Sequence, residues 1–320
     1  MGKINVGFVG VGGIATVHLK NIAANKNANI VAVCDIVEKN AKLAGEKYGA
    51  AYYTDEDIML KEEKLDALYI CIPPFAHGNL EEKAAQLGIH LMVEKPIGLD
   101  VSTTENKHEI IQEAGVLCAT GYCLRYLDTI VKAKEYLRDK QISMVRGHYL
   151  TSFVNTPWYR EMEKSGGQLV EQATHIVDII RYLAGDIITV HADMSLITPL
   201  GIPNIDIPDV TSVNFLMKSG AVGHLDASFI QPDHRMGLEV LGNKFRLSFD
   251  GSNLTIVEED LTITHHTKVT FYEEQDKAFI EAVRTKNKKY ILSDYENGLN
   301  TLRVTLAANE SQKKQKVISI

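Results

Sequence analysis

In the first third of the chain, apolar runs of strand length alternate with stretches of helical period. "KINVGFVG", "NIVAVCD", "LDALYICIP", "HLMVE" and "VLCATGY" read as strands. "IATVHLKNIAAN", "EKNAKLAGEKYG", "HGNLEEKAAQLG" and "TTENKHEIIQEAG" read as the helices that accompany them. Runs such as "VAVC" and "LYICI" are apolar throughout, as a strand covered by helices on both faces requires. The pattern predicts βαβ units and a doubly wound parallel sheet over residues 1–122.

From residue 123 the rhythm changes. The helix "TIVKAKEYLRD" and the strand-like "SMVRGHYLTSF" lead to a helical stretch at 167–184. There Leu169, Ala173, Ile176, Val177, Ile180 and Leu183 form one apolar stripe. "TVHADMSLIT", "DVTSVNFLMKSGAVGHLDASFI", "MGLEVLGNKFRLSFDG" and "LTITHHTKVTF" are rich in strand formers, with "KSGA" and "GNK" as hairpin turns. Short turns between successive strands predict a mainly antiparallel sheet. Residues 123–320 therefore read as an α+β domain that ends in two helices, "EQDKAFIEAVRTK" and about 294–312. No flexible linker separates the two parts, so a shared cleft is the expected ligand site.

Charge and composition narrow the function. A net charge of −7 argues against a chain built to neutralise nucleic-acid phosphates. Cys34, Cys71, Cys118 and Cys123 make no CxxC pair, so reduced, buried thiols in a reducing compartment are expected. The chain opens directly on a strand, and no apolar run is long enough to span a bilayer. The expectation is a cytoplasmic protein with neither nucleic-acid nor membrane partners.

The chemistry starts at "GFVGVGGIA", between the first strand and the first helix. Gly10, Gly12 and Ala15 fit G-x-G-x-x-G/A, and Gly13 and Ile14 complete the turn into the helix. The first glycine permits the tight turn, the second lets a pyrophosphate approach, and the small third residue lets helix and strand pack closely. Asp35 ends the next strand, 20 residues past Ala15, where a carboxylate accepts the adenosine ribose hydroxyls; Ile36 follows it. The first domain is thus a Rossmann dinucleotide-binding domain. Asp35 would repel a 2′-phosphate and "DIVEK" has no Arg beside it, which favours NAD over NADP.

Two further stretches reach the carboxyl edge of the sheet, where such folds bind ligands. "CIPPFAHGNL" brings Pro73, Pro74 and His77; His77 is either a cofactor contact or a helix-entry residue bonded to backbone. "HLMVEKP" ends a strand on Glu94 and Lys95, with Pro96 restricting the backbone behind them. A lysine beside a nicotinamide suits a proton relay, and a lysine paired with Glu94 is the plainer reading. In the second domain, Glu171, His175 and Asp178 are spaced i, i+4 and i+7. That spacing describes either a surface ion-pair ladder or an imidazole flanked by carboxylates for acid–base work. No Cys or third His follows at ligand spacing, so no metal site is expected.

"GVGGIA" with His18, Asp35, "IPPFAH", "EKP", "GYCLRY" and "SGGQLVEQATHIVD" together resemble the glucose–fructose oxidoreductase/inositol dehydrogenase (Gfo/Idh/MocA) family over essentially the whole chain. The resemblance implies a Rossmann domain followed by an α+β domain with an open-faced, mainly antiparallel sheet for substrate binding and oligomerisation. It implies hydride transfer between NAD(P) and a hydroxyl or carbonyl carbon of a sugar, polyol or derivative. Lys95 corresponds to the family's catalytic lysine and His175 to its active-site histidine. Glu171 stands where members commonly carry the shorter Asp, and Asp178 fits the trailing Asp. Tyr122 and Arg125 resemble the segment bordering nicotinamide and substrate, and Trp158 falls in a loop that can reach the pocket. Homodimers or homotetramers through the open sheet are implied. Two alternatives stay open: glycoside cleavage or elimination through transient oxidation by NAD, and a non-catalytic NAD-binding regulator.

Overall fold

The computed structural model describes residues 2–198 and 201–320. The chain begins with β1 (Ile4–Val9), α1 (Ala15–Ala24), β2 (Ala28–Cys34), α2 (Glu38–Tyr48), β3 (Ala51–Tyr53) and α3 (Glu56–Glu62). It continues with β4 (Ala67–Ile70), α4 (Leu80–Gln86), β5 (His90–Val93), α5 (Val101–Ala114) and β6 (Cys118–Thr120). These six strands form one sheet, all parallel, in the order β3-β2-β1-β4-β5-β6. The order reverses direction between β1 and β4, which opens a crevice at their carboxyl ends. The strands predicted to be central are so: Phe8, Val33, Leu68, Tyr69, Ile70 and Met92 are fully buried.

The second part runs α6 (Asp128–Leu137), β7 (Ile142–Leu150), α7 (Met162–Ser165), α8 (Gln168–Glu171), α9 (Thr174–Ala184), β8 (Ile187–Ser195) and β9 (Val210–Met217). Then come β10 (Val222–Ser228), β11 (Arg235–Gly242), β12 (Phe245–Asp250), β13 (Asn253–Glu258) and β14 (Thr262–His265). The chain closes with α10 (Phe271–Thr285), α11 (Tyr295–Lys314) and β15 (Ile318–Ser319). The nine-stranded sheet has the order β14-β13-β12-β11-β7-β10-β9-β8-β15. Only β7 and β10 pair in parallel; the other neighbours are antiparallel. The stripe Leu169, Ala173, Ile176, Val177, Ile180 and Leu183 is buried as its spacing requires. A Cβ at Gly147 on β7 would lie 2.7 Å from Ile176 Cγ2, so α9 packs directly on that strand. β9 alternates buried Thr211, Val213, Phe215 and Met217 with exposed Ser212, Asn214 and Leu216, so one sheet face is left exposed there.

The compact units are discontinuous in sequence. The first comprises Met1–Gly98, Ser102–Tyr126 and Thr270–Gly298; the second comprises Leu99–Val101, Leu127–Val269 and Leu299–Ile320. The sequence reading placed everything after residue 122 in the second domain. Phe279, Ile280 and Val283 of α10 instead share one buried cluster with Val6, Phe8 and Leu19, which draws 270–298 into the first unit. The helix expected over 167–184 is also interrupted: the amides of Gln172 and Ala173 both donate to Gln168 O, at 2.8 and 3.0 Å. This wide turn separates α8 from α9, and the Tyr159 hydroxyl anchors it by donating to Gln172 Oε1 at 2.9 Å.

Candidate active site

At the sheet crevice, Gly10 has φ +84°, a conformation that L side chains rarely adopt. A Cβ there would also collide with the backbone carbonyl of Cys71 at the end of β4. Gly12 and Gly13 face open space: a Cβ at either would meet no heavy atom within 4 Å. The two strands meet tightly at the turn, while the entry to α1 is bare backbone, which fits a phosphate group. Asp35 is held at the end of β2 by two amides: Val11 N–H donates to Oδ2 at 3.1 Å and Val37 N–H to Oδ1 at 2.9 Å. Each carboxylate oxygen keeps acceptor capacity for a ribose hydroxyl. Ile14 is half-buried in the entry to α1, and Ile36 is 89 % exposed beside Asp35, an apolar surface of the kind a flat heterocycle covers. These residues fit a dinucleotide without a 2′-phosphate.

Pro73 and Pro74 continue the edge from β4, Pro73 half-buried and Pro74 buried. The His77 ring turns inward and is 3 % exposed. Its Nδ1 pairs with Glu81 Oε1 at 2.7 Å and its Nε2 with Ile72 O at 3.2 Å. Of the two roles open to His77, the backbone-bonded helix-entry role matches this geometry, because both ring nitrogens are taken inside the protein. Glu81 in turn receives Lys107 Nζ at 2.8 Å. Burial would raise the Glu81 carboxyl, but the charges and hydrogen bonds of His77 and Lys107 hold it below its ordinary range.

Lys95 follows β5 on the same edge and is half-buried, and its bond to Pro96 is cis. Glu94, buried beneath it, accepts the Lys95 backbone N–H on Oε2 at 3.2 Å. Its other oxygen pairs with His18 Nε2 at 3.1 Å, and His18 Nδ1 pairs with Asp276 Oδ1 at 2.7 Å. Burial alone would depress the His18 imidazole, but the hydrogen bonds and charges of Asp276 and Glu94 outweigh it and push it up to about 10. Asp276 had no sequence signal: it lies 258 residues from His18, on a helix with the ordinary amphipathic pattern. Tyr122 is buried beyond β6. Arg125 is 2 % exposed and donates to Leu292 O at 2.6 Å and Asn297 Oδ1 at 3.2 Å, so much of its guanidinium serves the first unit's own packing.

In the second unit, Glu171 and His175 are half-buried on either side of the wide turn, so they are not one turn apart on a regular helix. Asp178 is 1 % exposed and accepts the Thr301 hydroxyl at 3.2 Å; Thr301 in turn accepts Arg181 Nη1 at 2.9 Å. Its carboxylate belongs to an interior network that ties α9 to α11. Trp158 packs at the margin of the Tyr159, Ile207 and Phe229 cluster. Burial raises the thiols of Cys71, Cys118 and Cys123 well above their ordinary value. All four cysteines are free. Among the described residues, no cluster of His, Cys, Asp and Glu could hold a metal ion, and no helix is long and apolar enough to cross a membrane.

Two domain models of one family match the chain. The first, described as an oxidoreductase family with an NAD-binding Rossmann fold, covers residues 4–122. The second, the GFO/IDH/MocA C-terminal domain, covers residues 130–248. The chain belongs to the Gfo/Idh/MocA family. It is an NAD-linked oxidoreductase, as that family's nucleotide-binding domain and the crevice at Gly10 and Asp35 together require. A myo-inositol 2-dehydrogenase of Thermotoga maritima is 26% identical over 333 aligned residues, covering 99% of this chain and 98% of its own. An NAD(+) scyllo-inositol 2-dehydrogenase of Bacillus subtilis is 26% identical over 329, covering 97% and 94%. A solved levoglucosan dehydrogenase, in complex with NADH and L-sorbose, has a TM-score of 0.90 at 19% identity, covering 100% of this chain and 99% of that one. That last likeness is one of fold.

Proposed function

We propose that this enzyme oxidises a secondary hydroxyl of a cyclic polyol or sugar, with Lys95 and His175 as the residues that handle the reacting oxygen and its proton. One observation carries the reading: Lys95 follows β5 on the same edge of the same sheet as the Gly10 turn. Bound NAD supplies the hydride acceptor. Gly12, Gly13 and Ile14 would hold its phosphates, Asp35 the ribose hydroxyls, and Ile36 the adenine. The Lys95 ammonium donates to the substrate oxygen and stabilises the negative charge that grows on it as the C–H bond breaks. His175 takes the hydroxyl proton as general base, and Glu171 orients the imidazole. Asp178 holds α9 in place from within.

The inositol dehydrogenases among its relatives support a ring-shaped polyol. The test is a panel of inositols, sugars and sugar acids, scored for NADH formation. Turnover of at least one cyclic polyol or sugar with stoichiometric NADH is the expected result. Product without net NADH would assign the transient-oxidation route instead, and NAD binding with no turnover of any kind would leave a regulator. We further infer a homo-oligomer through the exposed face of the second sheet, where Met144, Leu216 and Val222 are 38, 37 and 46 % exposed. The free thiols suit the reducing environment of a cytoplasm.

A further inference from the structure

A buried row of charge leads away from Lys95, and the reaction as described does not use it. Asp276 on α10, His18 on α1 and Glu94 at the end of β5 form a chain of contacts at 2.7 and 3.1 Å, all three groups nearly free of solvent. Asp276 Oδ2 also takes the Asn21 amide at 2.8 Å, and Oδ1 takes the Tyr69 hydroxyl at 3.1 Å. The rings of Tyr69 and Tyr272 flank the imidazole, with centroids 5.4 and 5.7 Å away. Glu94 has little freedom to leave: a Cβ at Gly121 would lie 2.6 Å from its carboxyl carbon.

A neutral imidazole has one N–H, and here both ring nitrogens face carboxylates, so the geometry asks for the imidazolium. Two carboxylates and one imidazolium leave one uncompensated negative charge in the interior, which is costly without a partner. Lys95 is the cation next in line. Its backbone N–H donates to Glu94 Oε2, and its positive charge lowers the proton affinity of the Cys123 thiol that the Glu94 carboxylate raises. With Lys95 protonated, the four groups are neutral together; with Lys95 deprotonated, they carry one negative charge.

We propose that His18 and Asp276 are positioning residues that set the proton affinity of Lys95 through Glu94, the imidazolium lowering it and the carboxylate raising it. Its consequence for turnover rests on the reading of Lys95 given above, but the charge coupling itself is measurable without catalysis.

Competitive acetylation with acetic anhydride, read at the Lys95 peptide by mass spectrometry over a pH series, reports that proton affinity directly. His18→Gln removes the cation and keeps a hydrogen-bonding side chain; Asp276→Asn removes an anion of the same shape. A shift of about one pKa unit in each case makes Lys95 acetylation at mildly alkaline pH about tenfold slower in His18→Gln and about tenfold faster in Asp276→Asn. Loosened packing would speed both. Shifts of the same sign, or no shift in either variant, overturn the proposal. If His18→Gln does not fold, nitrogen NMR of the wild-type imidazole at about pH 8 decides: a doubly protonated ring is required, and a neutral ring overturns it. The pH profile of kcat separates this proposal from the catalytic reading. Opposite acetylation shifts with an unmoved kcat profile uphold the coupling and reject Lys95 as the residue on the reacting oxygen.

Discussion

His18 differs most from its solvated counterpart in what it does to stability. Its pKa in the folded protein is about 10, against 6.5 for the free side chain. A group raised on folding stabilises the folded state fully below its unfolded pKa, and that stabilisation is lost as pH climbs through the folded value. The loss should therefore run from about pH 7 to about pH 10, and be worth several kcal/mol at most. Thermal melts of wild type and His18→Gln across that range measure it. The wild type should lose melting temperature steadily with rising pH, and the variant should lack that slope. Parallel curves would show that the imidazole is not held as a cation. At this scale the sequence was informative about the Gly10 turn and the place of Asp35 at the end of β2, because each has a backbone or charge requirement visible in a short motif. It was silent about Asp276, whose partners are distant in the chain and whose local surroundings are those of any exposed helix.

Among the elements, α10 shows how little a local pattern says about where a helix docks. Its period is plain in "EQDKAFIEAVRTK", yet it packs on α1 and β1, elements at the opposite end of the sequence. Phe279 is fully buried there, with its ring edge-on to Tyr69 at 5.5 Å. Truncation to Ala should cost about 3–5 kcal/mol, read by denaturant unfolding. Because α10 carries Asp276, the variant should also weaken the charge row behind Lys95. A cost under about 1 kcal/mol would place Phe279 outside the core, since a buried aromatic cannot be removed so cheaply. The stripe on α9 was legible because six apolar residues kept one period, whereas the wide turn before it left no mark on that period. β3 and α3 leave little mark in the sequence, because two exposed strand residues, a half-buried one and one short helix have too little pattern to stand out. β13, "NLTIVE", shows only two buried turns of alternation, at Leu254 and Ile256.

For the molecule as a whole, the doubly wound parallel sheet and a mainly antiparallel second sheet followed from the order of patterned segments, while the parallel pairing of β7 with β10 did not. The discontinuous units did not, since nothing in the composition marks Thr270 as a return to the first. The proposed function depends on one division of labour: the Gly10–Asp35 crevice would hold the cofactor, and Lys95 on the same edge would do chemistry without holding it. The direct measurement compares wild type with Lys95→Met, titrating NAD by calorimetry and following NADH formation with a substrate drawn from the panel. NAD affinity should be retained while kcat falls by about 10²–10⁴-fold. Equal kcat in the two proteins, with NAD bound equally well, would contradict it.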